Sequence, residues 1–186
     1  TISTSALQQK NAKHLIQSFS DLSYINNPQE THIISRADGV YIYDNDGKKI
    51  LDSMSGLWCV NMGYGQKSII DAVNEQMKEL VYYNNFFGSS HPSAIKLSEM
   101  IADKTPPGMN KVYFTGSGSE ANDTVVRLAR HYWAAKGKPS KSVIISRKNA
   151  YHGSTMAGAS LGGMSAMHAQ GGLPIPDIEH VDQPYY

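Results

Sequence analysis

An α/β fold is the class that this sequence predicts, with a parallel or mixed sheet in its second half. After residue 65 the apolar residues repeat with a helical period, and short β-like runs alternate with these helices. This order implies parallel strands joined by right-handed crossovers. A length of 186 residues accommodates a small domain and part of another. We therefore expect an N-terminal segment over residues 1–65 and the first part of a large domain over residues 66–186.

The composition is that of an ordinary globular protein and excludes several function classes. The 17 Lys and Arg residues nearly balance the 16 Asp and Glu residues, so bulk charge gives no case for binding nucleic acid or a membrane surface. The single cysteine, Cys59, excludes an intrachain disulfide and favours a reducing, cytoplasmic location. No apolar run has the length of a signal peptide or membrane span, and the histidines show no metal-ligand spacing.

The first 65 residues are predicted to contain one helix and a small antiparallel meander. Residues 6–19 carry apolar positions at helical spacing, up to Phe19. Residues 31–52 hold three short β-like runs separated by Asp38-Gly39 and Asp46-Gly47. Asp-Gly between such runs is the turn chemistry of hairpins, because glycine accepts positive φ without a steric cost.

The remaining residues are predicted to alternate between helices and strands. The expected helices begin near residue 66, span residues 95–101 and run from about residue 119 to 135; the expected strands are 111–115, 142–146 and 178–181. The stretch 153–173, rich in Gly, Ala, Ser and Met, is expected to be a loop or a tightly packed helix. A parallel sheet normally has about five or six strands, so we expect the sequence to stop within a domain.

A glycine- and serine-rich turn is the sharpest chemical signal. Gly116-Ser117-Gly118-Ser119 joins a predicted strand to a predicted helix, and helix N-termini offer unpaired N–H groups and partial positive charge to an anion. The Lys of a P-loop is absent, and Ala121 stands where a dinucleotide fingerprint has its third glycine. The turn is therefore a candidate phosphate site, with a serine-capped helix that binds no ligand as the alternative.

Three aromatic loops are further candidates. Tyr151-His152-Gly153 follows the next predicted strand, at the same edge of the sheet as the Gly/Ser turn, where a flat side chain could stack on a heteroaromatic ring. Trp58 lies in a glycine-rich loop, and Phe86-Phe87 lies in another. For all of these residues, ordinary loop packing is the alternative.

These motifs, in this order and spacing, resemble the class III aminotransferases, over nearly the whole chain from Phe19 onward. The resemblance rests on Ser-Gly-Leu-Trp, Gly-Tyr-Gly, Phe-Phe-Gly, Gly-Ser-Gly-Ser-Glu-Ala-Asn and Tyr-His-Gly-Ser-Thr. The last two motifs are specific to the class. The ω-amino acid:pyruvate and amine:pyruvate transaminases are the most similar branch. The resemblance implies a fold-type-I transferase that depends on pyridoxal 5′-phosphate and transfers an amino group from an amine or ω-amino acid to an α-keto acid such as pyruvate.

The resemblance also implies roles for particular residues. The cofactor phosphate is expected at Ser117, Gly118 and Ser119, and the cofactor ring against Tyr151, with His152 and Gly153 beside it. Phe19 and Trp58 are expected to line the substrate pocket, which Phe86 would reach from the other subunit of a homodimer. The lysine that binds the cofactor covalently and the aspartate that pairs with its pyridine nitrogen are expected in later sequence, because no lysine from Lys10 to Lys148 matches the family's motif.

Two other functions stay open at this stage. Relatives of the same fold include a mutase and decarboxylases, which use the same cofactor for different reactions. A non-catalytic fragment that only binds phosphate is the third hypothesis.

Overall fold

The computed structural model describes residues 2–185, without the side chain of Tyr24, and shows two compact units that divide between Ser90 and His91. The sequence predicts a different boundary, between residues 65 and 66. That boundary refers to the domains of the complete protein, and it stays a proposal.

The first unit begins with helix α1, which is shorter at its C-terminal end than predicted. It spans Thr4–His14, and the Ser3 hydroxyl caps it by accepting from the Ala6 N–H. The predicted helix continued to Phe19, but the backbone turns extended at Leu15. The apolar side chains that suggested the continuation, Leu15 and Ile16, are exposed. Periodicity alone therefore did not extend the helix, since helices gain most of their stability from packing.

The predicted antiparallel meander is confirmed. After two 3₁₀ turns, Leu22–Ile25 and Pro28–Glu30, the strands are β1 (Ile34–Asp38), β2 (Tyr41–Asp44) and β3 (Lys49–Leu51). The register places Ile42 opposite both Ala37 and Ile50. Gly39 and Gly47, in the two Asp-Gly turns, have φ of 57° and 87°, the positive values for which glycine was expected.

Two helical elements follow the meander within the first unit. Helix α2 is a single turn, Ser55–Trp58, with unusual backbone angles, and α3 spans Lys67–Glu79. The start of α3 matches the helix predicted near residue 66. Its apolar face, with Ile69, Val73 and Met77, is exposed in this chain.

The second unit packs helices against a pair of parallel strands. Its elements are α4 (Pro92–Ala102), α5 (Gly118–Ala135), β4 (Ile144–Arg147), α6 (Met156–Leu161), α7 (Ser165–His168) and β5 (Ile178–Val181). β4 and β5 pair in parallel from Ile144 opposite Ile178 to Arg147 opposite Val181. Val126 of α5, Leu161 of α6 and Ile178 form the buried cluster. The predicted parallel pairing is therefore confirmed, and the stretch 153–173, for which a loop or a packed helix was expected, contains the two short helices α6 and α7.

One predicted strand is wrong. Residues 111–115 form neither strand nor helix in the structure. A strand needs a neighbour that accepts its N–H groups, and the part of the chain that the structure describes provides none for this stretch. The apolar and aromatic side chains that predicted the strand remain, with Tyr113 and Phe114 exposed.

No helix between residues 2 and 185 is both long enough and apolar enough to cross a membrane.

Candidate functional site

The start of α5 is held by reciprocal capping bonds. Ser117 is the N-cap, and its hydroxyl accepts from the Glu120 N–H at 3.2 Å. The Glu120 carboxylate in turn accepts from the Gly116 N–H at 2.7 Å, a variant of the capping box in which two otherwise unpaired donors are satisfied. A Cβ on Gly116 would lie 2.8 Å from Glu120 Oε2. Glu120 therefore occupies the Gly116 side of the candidate phosphate turn.

Two N–H groups at the start of α5 are available to a ligand. Gly118 and Ser119 are the first helical residues of α5, so their N–H groups have no partner inside the helix. Among residues 2–185 no other backbone group accepts from them, and a Cβ on Gly118 would meet nothing within 4 Å. With the partial positive charge of an 18-residue helix, this geometry fits a phosphate.

The loop after β4 is attached to this turn by hydrogen bonds. The Asn122 side-chain amide donates to the His152 carbonyl at 2.6 Å, and the Ser154 N–H donates to Ser119 Oγ at 3.1 Å. The predicted adjacency of the Gly/Ser turn and the Tyr151-His152-Gly153 loop is therefore confirmed. The Ser119 hydroxyl joins the two loops, a contact that the sequence did not reveal.

Asp123, one turn into α5, fixes the same loop from the other side. Its Oδ1 accepts from the Thr155 hydroxyl at 2.6 Å and from the Gly158 N–H at 3.1 Å. The Thr155 hydroxyl also caps α6 by accepting from the Gly158 N–H. The negative charge of the Asp123 carboxylate is stabilised by these two donors and by the partial positive charge at the start of α6. Sequence reasoning missed Asp123, although the acidic residue beside the conspicuous motif was visible.

Gly153 is the point where the loop and α5 come closest. Its φ is 126°, and an added Cβ would lie 2.5 Å from Ser119 Oγ and 2.8 Å from Ser119 Cα. Both the backbone angle and the space therefore require glycine. The sequence predicted Gly153 as a neighbour of the cofactor, and the structure gives it a steric role against the Gly/Ser turn.

Tyr151 stands between fixed backbone positions on both sides. Asn149, with φ of 61°, donates its N–H to Gly163 O, while the Gly163 N–H donates to Ala150 O at 2.9 Å. On the other side, His152 is attached to α5 as described above. The Tyr151 side chain is 56% exposed, so its ring presents area to which another flat ring can stack.

The predicted pocket residues of the first unit are exposed, and each lies at or next to a residue with positive φ. Trp58 and Phe19 are 84% and 69% exposed, and their φ values are 65° and 53°. Phe86 is 64% exposed, and its neighbour Phe87 has φ of 54°. Positive φ costs an L-residue roughly 1–2 kcal/mol, and such strain concentrates at functional sites. The packing of this unit does not explain these exposed aromatic side chains.

Trp58 lies in a turn in which four consecutive residues have positive φ. The values are 52°, 60°, 71° and 65° for Ser55, Gly56, Leu57 and Trp58. Only Gly56 adopts such a conformation freely. Within this short element, which we call the left-handed turn, the Trp58 N–H donates to Met54 O at 2.8 Å.

An Asp–Tyr pair that the sequence did not reveal lies against the left-handed turn. Asp52 Oδ2 accepts from the Tyr64 hydroxyl and from the Gly56 N–H, each at 2.7 Å. The hydrogen bond from Tyr64, with smaller contributions from the backbone of residues 54–56, lowers the pKa of Asp52 below its ordinary value, although desolvation of the carboxylate opposes this shift. The same bond raises the pKa of Tyr64. Gly56, two residues before Trp58 in the glycine-rich loop, was the sequence signal nearest to this turn.

Among residues 2–185, no group of three or more His, Cys, Asp or Glu side chains is arranged to hold a metal ion.

Comparisons with known proteins agree with this geometry. The model of the class-III aminotransferase family matches residues 24–186. The putrescine–pyruvate aminotransferase of Pseudomonas aeruginosa is 56% identical over 173 residues, which are 93% of this chain and 38% of that protein.

Two solved structures share the fold closely. An omega transaminase from Pseudomonas jessenii in complex with PMP aligns over 96% of this chain and 39% of that one, at 38% identity and a TM-score of 0.91. A thermostable omega transaminase variant, with a tryptophan, a phenylalanine and an arginine replaced, was engineered for asymmetric synthesis of enantiopure bulky amines. It aligns over 96% of this chain and 40% of that one, at 38% identity and a TM-score of 0.91.

The chain thus spans about two fifths of the length of the proteins it matches. Its described part has the fold of the fold-type-I transaminases. The family model covers most of the sequence, including both loops of the candidate phosphate site. This chain belongs to the class-III aminotransferase family.

Proposed function

We propose that the complete protein transfers an amino group from an amine or ω-amino acid to an α-keto acid such as pyruvate, using pyridoxal 5′-phosphate. The observation that carries this proposal is the attachment of the Tyr151 loop to the start of α5. This attachment brings the loop that carries the exposed Tyr151 ring to the helix start with the Gly118 and Ser119 N–H groups, and a phosphorylated heteroaromatic cofactor needs both a ring to stack on and donors for its phosphate.

The residues of the second unit would hold the cofactor as follows. The N–H groups of Gly118 and Ser119 bind the phosphate, and the hydroxyls of Ser117 and Ser119 can each donate to it, because the bonds they make within the protein use them as acceptors. Tyr151 stacks on the ring, with His152 and Gly153 beside it. The cofactor, when bound, carries the amino group from the donor to the acceptor.

The substrate pocket is proposed to be lined by Phe19 and Trp58, with Phe86 of the partner subunit completing it in a homodimer. Their exposure supports this assignment, since large aromatic side chains on a surface are typical of binding sites. The transaminase engineered for bulky amines, in which a tryptophan and a phenylalanine are replaced, also supports it.

Two further features of the complete protein are part of the proposal. The lysine that binds the cofactor covalently and the aspartate at its pyridine nitrogen are placed outside residues 1–186. The location is proposed to be cytoplasmic, which the exposed free thiol of Cys59 supports.

The test uses the full-length protein with putrescine as amine donor and pyruvate as acceptor, the pair named for the Pseudomonas aeruginosa relative. We expect cofactor-dependent formation of alanine. A panel of other amines, ω-amino acids and keto acids follows if this pair is poor. Release of CO2 or an isomerised product, without amino transfer to any acceptor, would replace the proposal with a decarboxylase or mutase of the same fold.

A further inference from the structure

We propose that Asp52 and Tyr64 are positioning residues that set the discrimination between small and bulky amine donors, because they hold the left-handed turn that carries Trp58. The inference rests on the proposed function, in which Trp58 lines the substrate pocket.

The left-handed turn cannot keep its shape through local preference. Three of its four residues, Ser55, Leu57 and Trp58, are L-residues with positive φ, a conformation that proteins normally use for single residues. Such a backbone persists only when its surroundings determine it. The question is therefore which contacts do so.

Asp52 and Tyr64 supply those contacts. One oxygen, Asp52 Oδ2, accepts both from the Gly56 N–H inside the turn and from the Tyr64 hydroxyl, at 2.7 Å each. Hydrogen bonds to a carboxylate are stronger than those between neutral groups. The Ser55 hydroxyl adds a bond of 2.8 Å to Val60 O, which closes the turn on its far side.

Close packing makes this arrangement sensitive to small changes. A Cβ on Gly56 would lie 2.6 Å from Val60 Cγ2 and 3.1 Å from the Tyr64 hydroxyl. The phenolic oxygen therefore lies directly against the turn. Its removal loses a hydrogen bond and also leaves a gap beside Gly56.

The pair is itself anchored to the meander. The Tyr64 N–H donates to Gly39 O at 2.7 Å, and the Gly39 N–H donates back to Tyr64 O at 3.2 Å. The Asp52 N–H donates to Val40 O at 3.0 Å. The β1–β2 connection thus fixes both residues, and they in turn fix the turn.

The indole of Trp58 depends on this support. Because the side chain is mostly exposed, the first unit offers it little packing, and its position follows the backbone that carries it. A looser turn lets the indole move, so a bulky donor that the indole excludes is admitted more easily. A small donor is affected less.

The experiment compares four variants of the full-length holoenzyme with the wild type: Tyr64→Phe, Trp58→Ala, the double variant, and Tyr41→Phe as a matched control. Tyr41 is half-buried in the same meander, and its ring lies under the Lys49 amine, while Asp52 is bonded to Tyr64 instead. The readout is the ratio of kcat/KM for 1-phenylethylamine to kcat/KM for putrescine, with cofactor content measured by absorbance.

We expect Trp58→Ala to raise this ratio and Tyr64→Phe to raise it by a smaller factor, roughly tenfold or less, because only part of the free energy of one hydrogen bond to a charged group is expressed in the ratio. Cofactor content stays unchanged, and Tyr41→Phe leaves the ratio at the wild-type value. In the Trp58→Ala background the effect of Tyr64→Phe disappears, because the two residues act through the same side chain. A purely structural role would instead lower both rates equally.

Hydrogen exchange of residues 52–64 provides a readout independent of activity. Tyr64→Phe and Asp52→Asn should both speed exchange at Gly56, Trp58 and Cys59, whose N–H groups are bonded within or beside the turn. Asp52→Asn keeps the shape of the side chain, so it tests the charge if Tyr64→Phe folds poorly.

The possible outcomes distinguish a failure of this inference from a failure of the proposed function. If Trp58→Ala does not change the ratio, the proposed pocket is wrong and the inference falls with it. If Trp58→Ala raises the ratio and Tyr64→Phe does not, the pocket stands and the inference is wrong. Unchanged exchange in both Tyr64→Phe and Asp52→Asn would also overturn it.

Discussion

At the scale of single residues, the Ser119 hydroxyl combines a contact within the protein with a proposed contact to the cofactor. The Ser119 hydroxyl joins the Tyr151 loop to α5 through Ser154, and it is also proposed to donate to the cofactor phosphate. A hydroxyl can do both, because it has one donor hydrogen and two acceptor lone pairs. Loss of this one oxygen therefore affects both the ligand and the protein that surrounds it.

Ser119→Ala should weaken cofactor binding in the full-length protein by about 1–3 kcal/mol, the size of a hydrogen bond to a charged group. The measurement is a titration of the apo-protein with pyridoxal 5′-phosphate, followed by absorbance. Ser98→Ala serves as control, because that half-buried serine bonds a carbonyl of its own helix, away from the Gly/Ser turn. An unchanged Kd in Ser119→Ala would contradict the phosphate assignment.

The Asp52–Tyr64 pair should give a defined pH dependence. The pKa of Asp52 is lowered from its ordinary value of 3.8, mainly by the Tyr64 hydrogen bond. Its contribution to stability is therefore present above that value and is lost as the pH falls through the lowered pKa. The pKa of Tyr64 is raised from 10.0, mainly by the bond to Asp52, so its contribution is present below that value and is lost as the pH rises through the raised pKa.

The check is the difference in unfolding midpoint between the wild type and Asp52→Asn across the pH range. We expect a positive difference that is constant near neutral pH and narrows at both the acid and the alkaline end. The nearby thiol of Cys59 also raises the pKa of Tyr64, so the alkaline arm is repeated in Cys59→Ser. If the difference in unfolding midpoint grew as the pH fell, the assignment of the Asp52 carboxylate as acceptor of the Tyr64 hydrogen bond would be wrong.

At the scale of elements, the site depends on how one loop lies against one helix. α5 supplies the capped start with its N–H groups, and the loop after β4 supplies Tyr151. Asn122, Asp123 and Ser119 of α5 bond the loop, and Gly153 sets how closely the two approach. The proposed phosphate site and the proposed ring-stacking site therefore belong to one structural unit.

Gly153→Ala tests this close approach. The added methyl would collide with Ser119, so we expect cofactor affinity to fall and the unfolding midpoint to drop. Gly171→Ala is the matched control, since Gly171 also has positive φ of 87° but a Cβ there would meet nothing within 4 Å. It carries the backbone cost of roughly 1 kcal/mol without the collision. Equal effects of the two variants on cofactor affinity would show that contact with Ser119 is unimportant.

At the scale of the whole molecule, two observations concern the complete protein: the length of its relatives and the apolar surface that this chain exposes. The chain spans about two fifths of the proteins it matches. Large apolar side chains are exposed on α3 and elsewhere in both units. Burial of such surface stabilises proteins by about 25 cal/mol per Å², so we infer that further chain or a second subunit covers it in the complete protein.

The covalent attachment of the cofactor gives a whole-protein test. Borohydride reduction of the full-length holoenzyme, followed by peptide mass spectrometry, should place the label on one lysine outside residues 1–186. The reason is that none of the lysines of this chain lies in the family's lysine motif, and such a lysine needs a fixed position and a lowered pKa. One stoichiometric adduct at a lysine between Lys10 and Lys148 would overturn this placement.

The proposed homodimer is tested by Phe86→Ala in the full-length protein. If Phe86 reaches the partner's pocket, the variant should lower kcat/KM for the amine donor while multi-angle light scattering still shows a dimer. Phe87→Ala is the control, because the neighbouring ring is even more exposed but is not assigned to the pocket. An active wild-type monomer would contradict the shared site.

Much of the fold was predictable because its signals are local. Asp-Gly turns specify the meander, helical periodicity specifies α3 and α5, and alternation of helix and strand specifies the parallel pairing of β4 and β5. The Gly/Ser turn was identified as a helix start for the same reason, since capping residues act within one turn of the chain. The motif resemblance gave the family.

Only the tertiary structure decided the features that depend on distant partners. Residues 111–115 have the composition of a strand but lack a ladder partner among the described residues, while α1 ends before Leu15 and Ile16, whose side chains are exposed. Asp52 is bonded to a tyrosine twelve positions away, and Ser119 to the backbone of a loop thirty-five positions away. A single sequence encodes local conformational preference directly, but it encodes such contacts only through the fold that brings their atoms together.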